Sequence, residues 1–130
     1  MSELSPREID NVHTRVRLRE DGIIELICND HHYYEVGDIQ KNHDAIRKIA
    51  GGKKALVLTL SGKYAMISRE GRDYVAEGHH ASFVRAEAFV LRSLAHKMMA
   101  SFYRKMSFPK VQTGYFISER DALKWLKEQV

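Results

Sequence analysis

Polar and apolar residues alternate in the N-terminal part of the chain. Thr14, Val16 and Leu18 are each followed by an arginine, and this period of two predicts a β-strand with one face in water. An aspartate–glycine turn dipeptide comes next, and the apolar run 23–28 predicts a second strand. We therefore predict an antiparallel hairpin at the edge of a sheet.

The segments on either side of this hairpin are less regular. Residues 1–11 are mostly polar, and we predict that they form an N-terminal arm that precedes the domain. Residues 32–36 either prolong the second strand or form a short third strand.

The spacing of apolar residues then changes to that of a helix. Asp38 is the predicted N-cap of this helix, and Gly51-Gly52 supplies its C-terminal cap. The next run, 55–60, reads Ala-Leu-Val-Leu-Thr-Leu, which is typical of a central strand covered on both faces. Leu58, in the middle of that run, is predicted to be almost fully buried.

Strands and helices continue to alternate to the end of the chain. Ser68 is predicted to begin a second helix and Ser93 a third, with residues 84–91 forming the strand between them. A short strand at 114–117 precedes a last helix that Ser118 caps. Helices between strands imply parallel strands joined by right-handed crossovers.

This order of elements predicts one α/β domain over residues 12–130. The sheet is predicted to be mixed and mostly parallel, with four to five strands. An antiparallel N-terminal edge hairpin and about four helices complete the predicted fold.

Size and charge narrow the possible functions. The chain has 130 residues, a net charge of +4 and one cysteine, Cys28. Its basic residues are mixed with acidic ones rather than gathered in a stripe, so we expect no nucleic-acid partner. No apolar run reaches the roughly 18–20 residues that a membrane span needs, and the polar N-terminus lacks the apolar stretch of a signal peptide. We expect a cytoplasmic protein.

The sequence shows no recognisable enzyme chemistry. Two adjacent histidine pairs, His31-His32 and His79-His80, are the candidate metal ligands. Neighbours on a strand point to opposite faces, so each pair would offer one ligand at most. We therefore predict that these histidines lie in solvated loops and bind no metal. Cys28 lies in an apolar strand, which predicts an inert buried thiol. Nucleotide-binding glycine loops and nucleophile motifs do not occur. We predict no catalytic residue, no cofactor, no metal and no enzyme.

The predicted topology offers one candidate working surface. In an open parallel sheet, the carboxyl ends of the strands and the amino ends of the following helices meet at one rim. Ser68, Ser93 and Ser118 cap three such helix starts, where free backbone N–H groups attract polar ligands. The alternative is that these serines are ordinary structural caps.

The middle of the chain resembles the STAS domain (sulfate transporter and anti-sigma-factor antagonist). STAS domains carry an apolar central strand, a short loop and an Asp-Ser-Ser-Gly-type start to the next helix, and residues 56–62 and 67–71 follow that order. Gly71 matches the glycine of the motif, and Ser68 stands in place of its aspartate. The C-terminal half, with its Phe-Pro turn and final Ala-x-x-Trp-Leu helix, resembles uncharacterised bacterial STAS-like proteins.

Departures from the STAS pattern limit what this resemblance implies. Arg69 and Glu70 occupy the positions of the motif's two serines, and Glu70 takes the place of the serine that is phosphorylated in anti-sigma-factor antagonists. Thr59 replaces the usual aspartate at the end of the strand. The resemblance therefore does not imply a switch operated by a kinase. It does imply a non-enzymatic module that binds a partner protein.

We accordingly expect a regulatory or scaffold module that acts by protein–protein contact, with homo-oligomers possible. The partner, its pathway and any modification of Ser61 or Ser68 are not specified by the sequence. The predicted partner surface consists of Ser61, Gly62, Ser68, Arg69, Glu70, Arg72 and Ser93.

The alternative is a carrier of a small apolar ligand or lipid. Its pocket would lie under the third helix, whose apolar stripe includes Met98, Met99 and Met106, although such a stripe also serves as ordinary core. An apolar cavity with a few convergent polar groups would favour the carrier. A filled core with an exposed apolar patch would favour the partner module.

Overall fold

A computed structural model of the protein describes residues 6–92 and 110–129. The predicted third helix, with its cap Ser93 and its methionine stripe, lies outside the described residues. The strands are β1 Glu8–Asp10, β2 Thr14–Leu18, β3 Ile24–Cys28, β4 Tyr33–Tyr34, β5 Ala55–Leu60, β6 Met66–Ile67, β7 Val84–Val90 and β8 Gln112–Phe116. The helices are α1 Val36–Ala50, α2 Arg69–Ala76 and α3 Glu119–Lys127.

Six of these strands form the main sheet, in the order β1-β2-β3-β5-β7-β8. The pairs β1–β2 and β2–β3 are antiparallel, and the three pairs that follow are parallel. This arrangement confirms the predicted α/β fold with an antiparallel N-terminal edge. The segment 32–36 contains the short strand β4, so the second of the two predicted alternatives is confirmed. β4 pairs with β6 in a separate parallel pair beside the main sheet.

The sheet has one strand more than predicted because part of the N-terminal arm is ordered as β1. Ile9 pairs with Val16 of β2 and packs against the buried core, whereas its neighbours Glu8 and Asp10 are exposed. One apolar residue between two acidic ones is too short a pattern to predict a strand. Its antiparallel pairing with β2 nevertheless satisfies backbone groups that would otherwise face water at a sheet edge.

The two faces of the sheet carry two separate hydrophobic clusters. One face packs against α1, with Val16, Leu26, Ile46 and Ile49 among the buried residues. The other packs against α3, where Leu58 is 0 % exposed and contacts a cluster that includes Leu126. Leu58 is therefore as buried as predicted, because its strand lies between β3 and β7 in the middle of the sheet.

Capping side chains fix where the helices begin. Ser68 and Ser118 accept hydrogen bonds from the backbone N–H groups of Gly71 (2.9 Å) and Asp121 (3.0 Å), which confirms both as N-caps. The prediction of Asp38 as the cap of α1 is wrong by one turn. The N-cap is Glu35, and the Asp38 carboxylate instead accepts from the Glu35 N–H at 2.9 Å, as in a capping box.

Candidate functional site

A cavity of about 230 Å³ lies between the α1 and α2 helices and the sheet. α2 packs against α1, and residues of α1, α2 and six strands line the space. Most of the lining is apolar, including Leu26, Ile39, Val57, Val75 and Phe89. Ligand sites in proteins share this combination of an apolar wall with a few polar groups.

The floor of the cavity is built from register partners on neighbouring strands. Val57, Glu87 and Thr113 lie side by side on β5, β7 and β8. The next row along the strands includes Phe89 and Tyr115, two stacked rings whose centroids are 5.6 Å apart. A carboxylate therefore stands in the middle of an otherwise largely apolar floor.

Glu87 is 6 % exposed and is held by one histidine. Its Oε2 atom is hydrogen bonded to Nε2 of His80, which is 2 % exposed. His80 lies in the turn after α2, where its carbonyl oxygen accepts from the N–H groups of Phe83 and Val84. The backbone bonds place the imidazole over the sheet, and Nδ1 of that ring is buried with no hydrogen-bond partner among the described residues.

A second histidine, His43 of α1, stacks on His80. The ring centroids are 4.4 Å apart and the planes differ by 20°. Burial, together with the nearby His80 and His79, lowers the pKa of His43 to about 3, so its ring is neutral at pH 7. Its Nδ1 is also buried and unpartnered within the described part of the chain. Buried polar atoms are rarely left without partners, so two orphaned nitrogens beside one cavity mark a candidate site.

His43, His80 and Glu87 were not identified from the sequence, and His80 corrects one prediction. The two histidines of the pair His79-His80 have different surroundings. His79 is exposed and bonds Glu77 at 2.8 Å. His80 is buried, so the prediction of a solvated side chain is wrong for it. Two features of the sequence could have indicated His43 and Glu87 as members of this site. His43 falls on the apolar stripe of α1, four residues after Ile39, and Glu87 interrupts an apolar strand.

A second polar group beside the cavity is fully paired. The Tyr34 hydroxyl donates to the carbonyl oxygen of His13 and lies 3.1 Å from the Thr14 hydroxyl. Cys28 is part of this group, and burial raises the pKa of its thiol to about 11. A thiol with that pKa is almost entirely protonated at pH 7, in keeping with the predicted inert cysteine.

The predicted partner surface divides into buried and exposed residues. Ser68 is 3 % exposed and Gly62 is buried, so neither can contact a partner directly. A Cβ atom at Gly62 would lie 2.0 Å from the carbonyl oxygen of Asn29, because two loops cross there. Arg69 and Glu70, in contrast, are exposed at the start of α2.

The remaining members of that predicted surface have intermediate or undescribed positions. Ser61 and Arg72 are half-buried and line the cavity. Arg72 also donates to the carbonyl oxygen of Ile67 at 2.9 Å. Ser93 lies outside the described residues.

The rim at the carboxyl ends of the parallel strands is strained and partly apolar. Val12, His31 and Tyr64 have φ angles of 71°, 63° and 58°, in the left-handed region that side chains other than glycine rarely adopt. Val12, Tyr33 and Tyr64 are large apolar side chains exposed at this rim, and we call them the rim patch. The loops are tied together, since the N–H of His31 donates to the carbonyl oxygen of Lys63 at 2.9 Å.

No group of three or more metal-binding side chains lies in a suitable arrangement within 6–92 and 110–129. Over the same residues, no helix has the length and hydrophobicity that crossing a bilayer demands.

The fold belongs to a recognisable class. It is similar to the crystal structure of an uncharacterized protein from the DUF3478 family with a SpoIIAA-like fold, from Shewanella loihica PV-4. The TM-score is 0.58 at 12% sequence identity, over 87% of this chain and 91% of that one. The SpoIIAA-like, or STAS-like, fold is therefore shown, and at this identity the likeness concerns the fold alone.

The family can also be stated. Residues 17–130 match a family described as a domain of unknown function, DUF7793. The match spans most of the chain, so this protein belongs to the DUF7793 family. No curated protein matches the sequence.

Proposed function

We propose that this domain binds a small, mostly apolar ligand in the cavity between α1, α2 and the sheet. The observation that carries the proposal is an apolar cavity beside a buried carboxylate and two imidazole nitrogens that have no partner within residues 6–92 and 110–129. A buried polar atom without a partner costs about 1–3 kcal/mol, and a ligand that supplies the partner recovers that cost.

The cavity volume sets the size of the ligand. An engineered cavity of about 150 Å³ holds benzene. At about 230 Å³, this cavity accommodates a molecule of roughly ten non-hydrogen atoms on the same scale. The proposal therefore favours a small compound over the long lipid chain that the carrier alternative also allowed.

Such a ligand gives the domain a means of regulation in the cytoplasm without catalysis. A ligand that binds only the folded state stabilises it by an amount that grows with the ratio of its concentration to Kd. α1 and α2 both line the cavity, and the exposed Arg69 and Glu70 lie at the start of α2. We propose that ligand binding influences, through α2, the surface that the sequence favours for partner contact.

Filling the cavity tests this proposal. Ala76 lines the cavity from α2, and Ala76→Leu adds a larger apolar side chain there, whereas Asp73→Leu adds one on the exposed side of the same helix. Native mass spectrometry of protein purified from its own cells is expected to show a bound small molecule in the wild type and in Asp73→Leu. Ala76→Leu is expected to lose it.

The proposal is contradicted if Ala76→Leu retains the ligand as fully as the wild type. It is also contradicted if wild-type protein carries no small molecule and takes up none from a mixture of small aromatic compounds.

A second function, contact with a protein partner, is favoured by the rim patch of Val12, Tyr33 and Tyr64. Tyr64 lies on an ordered loop and Tyr33 on the short strand β4, so neither backbone has to become ordered on binding. Tyrosine is also common in protein interfaces. The STAS-like fold supports this proposal by analogy, as does the likeness of the helix start at 67–71 to the STAS motif. Glu70 would then supply a permanent negative charge at the first turn of α2.

This second proposal predicts where an interface would lie. Once a partner has been captured, Tyr64→Ser and Glu70→Gln are each expected to weaken its binding at least about tenfold, or 1.4 kcal/mol. Arg120→Ser, at an exposed position on α3, is the matched control and is expected to leave affinity unchanged. Equal effects at positions 64 and 120 would contradict the proposal. Sedimentation of the purified protein would show whether the partner is a second copy of the chain.

A further inference from the structure

We infer that the ligand presents an uncharged carbonyl oxygen, which accepts a hydrogen bond from Nδ1 of His80. This inference rests on the proposed ligand-binding function and specifies the chemistry of the ligand's polar end. It follows from how Glu87 and His80 share hydrogen atoms in a buried site.

Burial of the Glu87–His80 pair favours charge balance. A lone carboxylate removed from water costs several kcal/mol unless a positive group balances it. Glu87 is hydrogen bonded to His80 Nε2, and the cavity face around this pair is largely apolar. The favoured form of the pair is therefore the one with no net charge.

The protonation of Nε2 in this pair determines whether Nδ1 of the same ring carries a hydrogen. With no net charge, the proton between Glu87 and Nε2 belongs either to the carboxyl oxygen or to the nitrogen. In both cases Nδ1 of His80 carries its own hydrogen, because a neutral ring that accepts at Nε2 is protonated at Nδ1, and a charged ring is protonated at both nitrogens. Nδ1 is thus a donor, and it lacks an acceptor within the described residues.

The charges around the cavity favour an uncharged ligand. His43, which stacks on His80, is neutral at pH 7, so it adds no positive charge to attract an anion. The guanidinium group of Arg72 also lines the cavity, but it already donates to the carbonyl oxygen of Ile67 at 2.9 Å. A carboxylate ligand would bring a new net charge beside an already balanced pair. An uncharged carbonyl compound, such as a small ketone, ester or amide, satisfies Nδ1 without that cost.

Three probes of similar shape separate the possibilities: acetophenone, which has a carbonyl group; ethylbenzene, which has no oxygen; and benzoate, which carries a charge. Titrations followed by protein NMR are expected to show acetophenone binding at least about tenfold more tightly than ethylbenzene. Benzoate is expected to be the weakest. The nitrogen-15 signals of His80 are expected to identify Nδ1 as protonated and to shift when acetophenone binds.

A double variant, His80→Phe with Glu87→Gln, removes the donor and the charge together and keeps an aromatic ring. In this variant acetophenone is expected to lose its advantage over ethylbenzene. The control His79→Phe changes the exposed neighbour and is expected to keep the advantage. If the double variant fails to fold, the nitrogen-15 signals of His80 in the wild-type protein test the inference without it.

The outcomes distinguish this inference from the proposed function. Equal binding of acetophenone and ethylbenzene in the cavity would overturn the carbonyl inference and leave ligand binding supported. Tightest binding by benzoate, or an unprotonated Nδ1, would also overturn the inference. Absence of binding by all three probes would overturn ligand binding itself, and the inference with it.

Discussion

Each face of the sheet buries one glutamate, and the two glutamates differ in their hydrogen-bond partners. Glu25 of β3 faces the side covered by α3 and is 3 % exposed, while Glu87 of β7 faces the cavity and is 6 % exposed. Two arginines hold Glu25: Arg17 Nε lies 2.7 Å from one carboxylate oxygen, and Arg19 Nη1 lies 3.4 Å from the other. Glu87 has one histidine, whose second nitrogen is unpartnered among the described residues.

The surroundings of the two carboxylates differ in the same way. Around Glu25, the charges continue into a network, since Arg19 also contacts Asp21 at 3.1 Å and Glu119 of α3 at 3.6 Å. That network joins the N-terminal hairpin to the last helix. Around Glu87 lies a cavity with apolar walls. A buried charge with a full set of partners is explained by the fold, whereas one with an incomplete set calls for a ligand or another function.

The largest expected difference between the two faces lies in their packing. Leu58 and Thr59 are consecutive on β5 and point to opposite sides, Leu58 into the α3 cluster and Thr59 into the cavity. Leu58→Ala is expected to lower the free energy of unfolding by about 2–5 kcal/mol, because it opens a void in a filled core. Thr59→Ala is expected to cost less than about 1 kcal/mol, since its side chain already borders empty space. Denaturant titrations measure both values, and equal losses would contradict the comparison.

The two glutamates themselves give the next largest effect. Glu25→Gln is expected to lower the free energy of unfolding by about 1.5–3 kcal/mol, the range for hydrogen bonds to charged groups, because it weakens the bonds from Arg17 and Arg19. Glu87→Gln is expected to cost less than about 1 kcal/mol, since an amide still pairs with His80 and is easier to bury than a charge.

The exposed Glu77, which bonds His79, provides a control for this pair of substitutions. Glu77→Gln is expected to have little effect on unfolding, as is usual for surface ion pairs. A loss at Glu87→Gln as large as that at Glu25→Gln would show that Glu87 is a structural residue.

The difference between the two faces also explains how much of the molecule could be predicted. The hairpin, the central strand around Leu58 and the caps Ser68 and Ser118 depend on short patterns, and the prediction of each was confirmed. The displaced cap of α1 shows the limit of such patterns, since Glu35 and Asp38 both suit a helix start and only the backbone geometry separates their roles.

The candidate site depends instead on contacts between distant residues. His43 comes from α1, His80 from a turn and Glu87 from a strand, and nothing in their spacing shows that the fold brings them together. The rim was predicted from topology, because parallel strands must end on the same side. Its strained residues, Val12 and Tyr64, were not predicted, since a valine or tyrosine in the sequence gives no sign of a left-handed backbone.

A pH dependence on the cavity side is the next expected effect. The pKa of His43 is about 3 in the folded protein against an ordinary value of 6.5. Between these values the unfolded chain takes up a proton at His43 and the folded protein does not. The contribution of His43 to stability is therefore fully present above about pH 6.5 and is lost as the pH falls, with a slope of up to about 1.4 kcal/mol per pH unit.

Replacing His43 tests that linkage. His43→Phe keeps a stacked ring but does not titrate, so its stability relative to the wild type is expected to rise by about 1 kcal/mol between pH 7 and about pH 5.5. Denaturant titrations at a series of pH values measure this difference. His79→Phe is the control and is expected to track the wild type. Parallel pH profiles for His43→Phe and the wild type would show that the ring of His43 accepts protons freely in the folded state.

The smallest expected effect concerns zinc, which would offer a different explanation for the orphaned nitrogens on the cavity side. Zinc sites in proteins use three or four ligands that converge on one point. Glu87 bonds Nε2 of His80, on the opposite side of the ring from the unpartnered Nδ1, so the carboxylate cannot join Nδ1 in binding one ion. The His43 ring is stacked on His80, and the lone pairs of stacked rings lie in nearly parallel planes and do not converge.

Calorimetric titration with zinc is therefore expected to show only weak binding that is the same in the wild type and in His80→Ala. Stoichiometric binding at micromolar affinity that disappears in His80→Ala would make the cavity side a metal site and would remove the main argument for a carbonyl ligand.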